Sequence, residues 1–217
     1  MPRGTFITFE GGEGSGKSTQ ARLLAAHLRN TGREVVSTRE PGGTPIGDAV
    51  RAILLNPELA EMGNVTELLL LAASRAQNVC ERVRPAVERG DIVVCDRFTD
   101  STLAYQGYGR DFDLELLRSL NTIATGGVFP DLTILLDIAP EVGLARSKEL
   151  DKDEAAAGQG DRFEQEDIDF HRRLRDGFLE LAAAEPGRFR IIPVRDTMEE
   201  THRLVVEEVE SFLSASR

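Results

Sequence analysis

Residues 11–18 read GGEGSGKS and match the pattern G-x-x-x-x-G-K-[ST] in full. The octapeptide follows an apolar run that ends in Phe9-Glu10, and it precedes a helical pattern that begins near Lys17. Glycines let the backbone fold tightly around a phosphate and direct several N–H groups at it. The following helix adds the positive end of its dipole. The stretch therefore predicts a phosphate-binding loop between a strand and a helix.

The side chains that follow the glycines have separate expected roles. Lys17 is expected to neutralise β- and γ-phosphate oxygens, and the Ser18 hydroxyl is expected to bind magnesium. The residues predicted to bind the triphosphate are Gly11, Gly12, Glu13, Gly14, Ser15, Gly16, Lys17, Ser18 and Thr19.

Working outward from the loop, short apolar runs rich in β-branched residues alternate with longer helical patterns. This alternation is typical of α/β proteins with a parallel sheet covered by helices on both faces. Strands are predicted at 5–10, 34–38, 91–95, 132–138 and 189–194, and long helices at 17–30 and 65–88. A last helix should begin at Thr197, because Thr197 and Glu200 have the spacing of a capping box. We expect a single domain over residues 1–217.

Composition excludes several classes of protein. The formal net charge of −11 would repel a phosphate backbone, so no nucleic-acid polymer is expected as a partner. The two cysteines, Cys80 and Cys95, give neither a disulfide framework nor metal-ligand spacing. The N-terminus lacks a signal-peptide pattern and no apolar run reaches about 18 residues. We therefore expect a cytoplasmic protein that does not enter a membrane.

One segment interrupts the regular pattern. Residues 148–160 read KELDKDEAAAGQG, which is polar and ends in glycine-rich sequence. Long loops in compact domains are often functional, so we predict a mobile lid over approximately residues 146–162.

Arginines follow the predicted strand ends, where ligands bind in open α/β sheets. Arg39 follows the second strand and Arg97 the third, while Arg51 and Arg75 lie on the intervening helical stretches. The chain has no N-K-x-D sequence, so the usual guanine-reading motif of GTPases is missing. A phosphorylated acceptor would be anionic at neutral pH, since its second pKa is about 6, and would need cations rather than a general base.

The sequences FEGGEGSGKST, TREPGGT, AASRAQ, DRFTDSTLAYQGYGR and DRFEQE occur in this order. Together they resemble the bacterial thymidylate kinase family from about Phe6 to the C-terminal helix. The resemblance implies a P-loop NTPase fold with a five-stranded parallel sheet and a homodimer. It implies the reaction ATP + dTMP → ADP + dTDP, with Mg²⁺ as cofactor and the two nucleotides as small-molecule partners.

The resemblance also implies roles for individual residues. Arg97 and Arg51 match contacts to the dTMP phosphate, Arg75 matches a contact to the base, and Tyr105 matches a tyrosine near C2′. Asp96 matches a carboxylate that organises magnesium together with Ser18, and Glu40 is a weaker candidate for the same region. The residues expected to bind dTMP are Glu13, Arg51, Leu71, Arg75, Arg97, Thr102, Tyr105 and Gln106. Leu71 stands where the family usually has a phenylalanine that stacks on thymine.

Catalytic cations are expected from two places. Some relatives, including the eukaryotic type, have an arginine directly after the acid of the phosphate loop, but this chain has Gly14 there. Lid residues would then stabilise the transferring phosphoryl group, with Arg146 and Arg162 preferred over the lysines. The residues expected to act in catalysis are Lys17, Asp96, Arg97, Arg146 and Arg162. Two alternatives remain: a P-loop kinase of another small acceptor, and a nucleotide-binding regulator without catalysis.

Overall fold

Five parallel strands form one sheet in the computed structural model, which describes residues 3–59, 61–153 and 166–215. The strand order is β2-β3-β1-β4-β5. The strands are β1 (Phe6–Glu10), β2 (Val35–Arg39), β3 (Ile92–Asp96), β4 (Leu132–Asp137) and β5 (Phe189–Pro193). Each lies within one residue of its predicted bounds. The predicted α/β class and five-stranded parallel sheet are therefore confirmed.

Nine helices are described between and after the strands. They are α1 (Lys17–Asn30), α2 (Pro45–Leu55), α3 (Asn64–Asn78), α4 (Arg84–Arg89), α5 (Thr99–Thr102), α6 (Leu114–Thr125), α7 (Pro140–Asp153), α8 (Ile168–Ala184) and α9 (Met198–Ala215). A 3₁₀ turn lies at Pro57–Leu59, and π-helical segments lie at Val79–Val83 and Leu103–Gly109. No described helix is long and apolar enough to span a bilayer.

Alternate side chains of the central strand β1 enter the two layers of the core, as the period of a strand requires. Ile7 and Phe9 pack in a cluster with α1 and α9. Phe6 packs on the opposite face with the segment around Val79–Val83. A third cluster joins α8 to the π-helical segment through Tyr105, whose ring lies near those of Phe170 and Phe178. Helices therefore cover both faces of the sheet.

Helix α1 has the predicted bounds, and its ends follow from local sequence. It begins after Gly16, which adopts a left-handed conformation with φ 87°. Its last turn closes over Gly32, whose φ is 82° and whose N–H donates to Arg29 O. Glycine tolerates this conformation without a Cβ clash and is therefore the usual residue just after a helix.

The long helical stretch predicted at 65–88 is helical but not uniform. α3 passes into the π-helical segment Val79–Val83 and then into α4, which ends at Gly90 with φ 91°. The sequence carries no evident signal for the change in helix type. At the other end of the chain, Thr197 Oγ1 accepts from Glu200 N at 3.2 Å, which confirms the predicted start of the last helix.

The predicted lid is partly wrong in its conformation. α7 extends through Asp153, so residues 148–153 are helical rather than part of a loop. The stretch KELDKD has no glycine or proline, and leucine, lysine and glutamate are good helix formers. Polarity alone was therefore a poor indicator of a loop. Residues 154–162 of the predicted lid, including Arg162, lie outside the described residues.

Candidate active site

The phosphate loop connects β1 to α1 at the carboxyl end of the central strand, as predicted. Gly11, Gly14 and Gly16 have φ values of 140°, 63° and 87°, which side-chain-bearing residues rarely adopt. Lys17 lies in the first turn of α1 and is almost fully buried. Its Nζ donates to Gly12 O at 2.6 Å and to Ser15 Oγ at 3.2 Å, so the ammonium group lies directly against the loop.

A second helix contacts this loop through its main chain. Gly143 of α7 lies so close to the loop that a Cβ on Gly14 would collide with the Gly143 carbonyl oxygen. A Cβ on Gly143 would in turn collide with the carbonyl oxygen of Glu13. The helix that carries the start of the predicted lid is therefore in direct backbone contact with the phosphate loop.

Ser18 and Asp96 lie together beside the loop and fit a magnesium site. Ser18 Oγ donates to Asp96 Oδ2 at 2.5 Å, and Asp96 Oδ1 is buried without a hydrogen-bond partner among the described residues. Mg²⁺ prefers such oxygen ligands and usually completes its octahedron with water and substrate phosphates. The described residues contain no group of three or more His, Cys, Asp or Glu side chains able to hold a metal.

Arg97 directs its guanidinium group over the phosphate loop. Its Nη2 donates to both carboxylate oxygens of Glu13, at 2.9 and 3.0 Å. The guanidinium also lies 4.9 Å from the centre of the Tyr105 ring, and the Tyr105 hydroxyl donates to Glu13. The structure thus brings Glu13, Arg97 and Tyr105 into one cluster, as the resemblance implied.

Charges in this cluster fix its protonation. Burial alone would raise the pKa of Glu13, but Arg97 and Lys17 hold that pKa at about 2. Burial, followed by the charge of Arg97, lowers the pKa of Lys17 to about 8, against the opposing effect of Glu13 and Asp96. Burial disfavours the charge of Arg97, yet Glu13 and neighbouring acids raise its pKa well above the ordinary value. Below pH 8 the site therefore holds an ionised carboxylate and two cations.

A cleft of about 620 Å³ extends from the phosphate loop across the carboxyl edge of the sheet. The size suits a nucleotide-sized ligand. The residues expected to bind the acceptor nucleotide all line this cleft, namely Glu13, Arg51, Leu71, Arg75, Arg97, Thr102, Tyr105 and Gln106. Lys17, Ser18, Thr19 and Asp96 line it as well. The phosphate loop and the predicted acceptor residues thus share one cavity.

Arg75 is held mainly by the protein itself. Its side chain donates to Glu40 Oε2 at 2.7 Å, Asn121 Oδ1 at 2.5 Å, Thr102 Oγ1 at 2.9 Å and Phe98 O at 3.0 Å. A guanidinium group has five N–H donors, so these four contacts leave one for a ligand. The predicted base contact stays a prediction, but Arg75 also links α3 to the loop after β2 and to α5 and α6.

Glu40 connects α3 to the loop after β2, and its weaker candidacy for the metal region stays a prediction. It is buried, and it accepts from Arg75 Nε and from Asn78 Nδ2 at 3.0 Å. Burial raises its pKa, and Arg75 and Asn78 oppose that effect.

Gln106 belongs to a buried polar cluster that the sequence did not reveal. Its Nε2 donates to Glu67 Oε1 at 2.8 Å, and Arg110 Nε donates to the same oxygen at 3.0 Å. Arg110 also pairs with Glu166, at 2.9 Å, just before α8. Glu67 is completely buried. A polar residue on the buried face of a helix is only a weak sequence signal for such a cluster. The partners of Glu67 lie about forty positions away in sequence.

Arg146 does not line the cleft. It lies on α7, and its Nη2 is 3.5 Å from Arg195 O in the connection between β5 and α9. The neighbouring residue Ser147 does line the cleft. The predicted catalytic role of Arg146 remains a prediction, and that of Arg162 falls outside the described residues.

Comparisons with known proteins agree with this geometry. The family model described as thymidylate kinase matches residues 9–205. A thymidylate kinase of Geobacter sulfurreducens is 51% identical over 210 residues, covering 94% of this chain and 95% of that protein. One from Deinococcus radiodurans is 53% identical over 192 residues, covering 88% and 89%.

A solved structure gives the same result for the fold. The crystal structure of thymidylate kinase from Ehrlichia chaffeensis superimposes with a TM-score of 0.76 at 34% identity, covering 96% of this chain and all of that one. The sheet order, the phosphate loop after the central strand and these sequence relationships together show that the chain belongs to the thymidylate kinase family.

Proposed function

We propose that this chain transfers the γ-phosphoryl group of ATP to the phosphate of dTMP, yielding ADP and dTDP. The observation that carries the proposal is the shared cleft, in which Arg97 at the acceptor side lies close enough to Lys17 at the phosphate loop to lower the pKa of that lysine. Two phosphate-bearing molecules held there would place an acceptor oxygen near a terminal phosphorus.

The residues of the chain contribute position and positive charge. Lys17 and the loop N–H groups hold the phosphates of the donor. Arg97 uses Nη2 for Glu13, and its Nη1 makes long contacts to Gly11 O at 3.4 Å and Ser101 Oγ at 3.5 Å. Nη1 is therefore well placed to donate to the acceptor phosphate. Glu13, with a pKa of about 2, stays ionised and can accept a hydrogen bond from a sugar hydroxyl.

Magnesium fits beside Lys17, where Ser18 and Asp96 would hold it. The ion would neutralise charge on the donor phosphates. No general base is required, because the second pKa of a phosphate monoester is about 6 and the acceptor is already a dianion near neutral pH. We also propose that the reaction takes place in the cytoplasm, where both nucleotides are available.

Residues at the end of the cleft away from the phosphate loop would select the acceptor. The buried Tyr105 ring, in contact with Glu13 through its hydroxyl, fills the space beside the sugar and would disfavour a ribose 2′-hydroxyl. Leu71 offers an aliphatic surface to the base in place of an aromatic ring. Without a ring–ring contact, the binding free energy of the base would be less favourable by about 0.5–1.5 kcal/mol.

The direct test is turnover with ATP and Mg²⁺ across dTMP, dUMP, dCMP, dGMP and AMP, with nucleotide products separated by chromatography. Formation of dTDP with the highest kcat/KM for dTMP supports the proposal. Preference for another acceptor would favour a different small-molecule kinase. Binding of ATP without any ADP formed would favour a non-catalytic regulator. Lys17→Ala serves as the matched inactive control.

We further propose that the chain forms a homodimer through α3 and α6. These helices pack against each other, and their outer faces expose Val65, Leu69, Leu116 and Ile123, the last to 78%. The spacings of four and seven residues place each pair on one side of its helix. Large exposed apolar patches mark association surfaces, and a second copy is the occupant we propose.

Light scattering after gel filtration tests the dimer. The wild type should have about twice the 23.8 kDa chain mass. Ile123→Glu combined with Leu69→Glu should yield the single-chain mass, while Ile191→Glu, an exposed apolar position on β5, should leave the dimer intact. A single-chain mass for the wild type at micromolar concentration would exclude the proposed interface.

A further inference from the structure

Glu10, the last residue of β1, is a buried acid that none of the roles above uses. Its side chain is fully buried and leaves the strand on the face opposite to Phe9. Oε1 accepts from the main-chain N–H of Phe98 at 2.7 Å, and Oε2 contacts Ser101 Oγ at 2.5 Å. Phe98 lies in the turn that follows β3, and Ser101 lies in α5 directly after that turn. The carboxyl group therefore joins the strand before the phosphate loop to the turn that begins with Arg97.

That turn contains an unfavourable backbone conformation. Arg97 has φ 65°, which a residue with a Cβ seldom adopts unless the surroundings enforce it. The N–H of Arg97 donates to Phe9 O at 2.9 Å, and the next N–H, that of Phe98, donates to Glu10. The N–H groups of Arg97 and Phe98 are thus both held by hydrogen bonds to Phe9 and Glu10 of β1.

The direction of the Arg97 side chain depends on this conformation. A return of φ to negative values would rotate the Cα–Cβ bond away from the phosphate loop. With φ at 65°, the guanidinium reaches Glu13 and passes 4.9 Å from the centre of the Tyr105 ring. The contacts of Glu10 therefore act on the position of a group that they do not touch.

We propose that Glu10 is a positioning residue, which holds the turn after β3 in the conformation that presents the Arg97 guanidinium to the acceptor phosphate. The inference rests on the proposed function, since it concerns the acceptor side of the same reaction. It adds a residue that contacts neither nucleotide in the proposed arrangement.

Neighbouring charged groups determine the protonation state of the Glu10 carboxyl group, which lies next to the predicted phosphate site. Lys17 on α1 and Arg97 in the turn are cations near Glu10, Asp100 on α5 is an acid near it, and the Cys95 thiol of β3 also lies within reach of its charge. Asp100 is itself paired with Arg188, at 2.6 and 2.9 Å. Burial and then Asp100 raise the pKa of Glu10 to about 8, against Ser101, Arg97 and the Phe98 N–H.

The carboxyl group thus carries its proton at neutral pH. In that form Oε1 still accepts from the Phe98 N–H, and Oε2 still accepts from the Ser101 hydroxyl. Glu10 then adds no negative charge to that of Glu13, the carboxylate already paired with Arg97. Ionisation above pH 8 would add an anion beneath Arg97 and weaken its attraction for that phosphate.

Three substitutions separate the hydrogen bonds from the charge. Glu10→Gln keeps both contacts without charge and should retain kcat/KM for dTMP within about threefold at pH 7. Glu10→Met has similar length without polar atoms and should lower that kcat/KM about 100-fold. Glu10→Asp is one methylene too short for both contacts and should lower it about tenfold. All three should bind ATP with a dissociation constant within about threefold of wild type, because the phosphate loop is unchanged.

The pH dependence of dTMP binding distinguishes an effect of the Glu10 charge from a purely structural role of this residue. The dissociation constant of dTMP, measured by calorimetry without ATP, should rise above pH 8 in the wild type and change less in Glu10→Gln. Parallel profiles in the two proteins would overturn the role of the charge. Wild-type kcat/KM in Glu10→Asp would overturn the positioning role, and this variant decides the question even where Glu10→Met does not fold.

The result is distinguishable from failure of the proposed function. A wild-type protein that makes no dTDP refutes the kinase assignment and the inference with it. An active wild type, accompanied by Glu10→Asp and Glu10→Met proteins of equal activity, refutes the inference alone.

Discussion

Replacing Arg75 by methionine should destabilise the folded protein by about 4 kcal/mol. The arginine is only 3% exposed, and its loss removes a hydrogen-bond donor from each of four oxygen atoms. One of these belongs to Glu40, which would become a buried carboxylate without a counter-charge. Removing one partner of a buried ion pair costs about 3–5 kcal/mol. For a domain of this size the melting temperature should fall by about 10 °C.

Urea unfolding followed by circular dichroism measures the loss, since the chain has no tryptophan for fluorescence. Arg172→Met is the matched control, because the Arg172 side chain is 55% exposed and pairs with Glu141 and Asp169 at the surface. Exposed pairs contribute about 0–1 kcal/mol, so the control should unfold close to wild type. The double variant Arg75→Met with Glu40→Gln should recover part of the loss, because it removes the unpaired charge.

The pH dependence gives an independent check. Glu40 has a raised pKa in the folded protein, and loss of Arg75 should raise it further. A folded-state pKa above the unfolded value favours folding at low pH, and that advantage disappears as pH rises. The defect of Arg75→Met should therefore be smaller at pH 5 than at pH 8. A loss below about 1.5 kcal/mol at pH 8, or one equal to that of Arg172→Met, would refute the structural role.

Four further outcomes are expected at the phosphate end of the cleft. Lys17→Ala should lower kcat about 100-fold or more with little change in melting temperature, because it removes the positive charge that neutralises the donor phosphates and no core packing. A wild-type kcat would contradict the role of Lys17. Affinity for ATP, measured by calorimetry, should weaken as pH rises through 8, where Lys17 loses its charge; a constant affinity from pH 7 to 9 would argue against this. Arg97→Ala should lower kcat/KM for dTMP about 100-fold and leave ATP affinity within threefold; an unchanged kcat/KM would remove Arg97 from the acceptor site. Gly143→Ala should reduce kcat at least tenfold, since its Cβ collides with Glu13 O, and full activity would show that the helix contact is dispensable.

The sequence predicted the elements of the fold and the phosphate loop because these depend on local patterns. The glycines of the loop are adjacent in the chain, and the ends of α1 are set by Gly16 and Gly32. The capping contact of Thr197 is also local. Such features need no knowledge of distant partners, so a single chain is enough to infer them.

The buried polar partners could not be predicted in the same way. Glu67 meets Gln106 and Arg110, and Asp100 meets Arg188, only after the sheet has brought separate helices together. An acid within a helical stretch is usually a solvated surface residue. The loop predicted over residues 148–153 was wrong for a different reason, since polar residues with good helix propensity continue α7 to Asp153.

The close packing of Gly14 against Gly143 limits how this catalyst could be re-engineered. Grafting the P-loop arginine of eukaryotic-type relatives onto position 14 would drive its Cβ into the carbonyl of α7, at a backbone φ of 63° that arginine tolerates poorly. The graft would succeed only together with a displaced α7. In this chain, a loop cation at position 14 therefore requires a coordinated movement of the α7 backbone, which a single substitution does not supply.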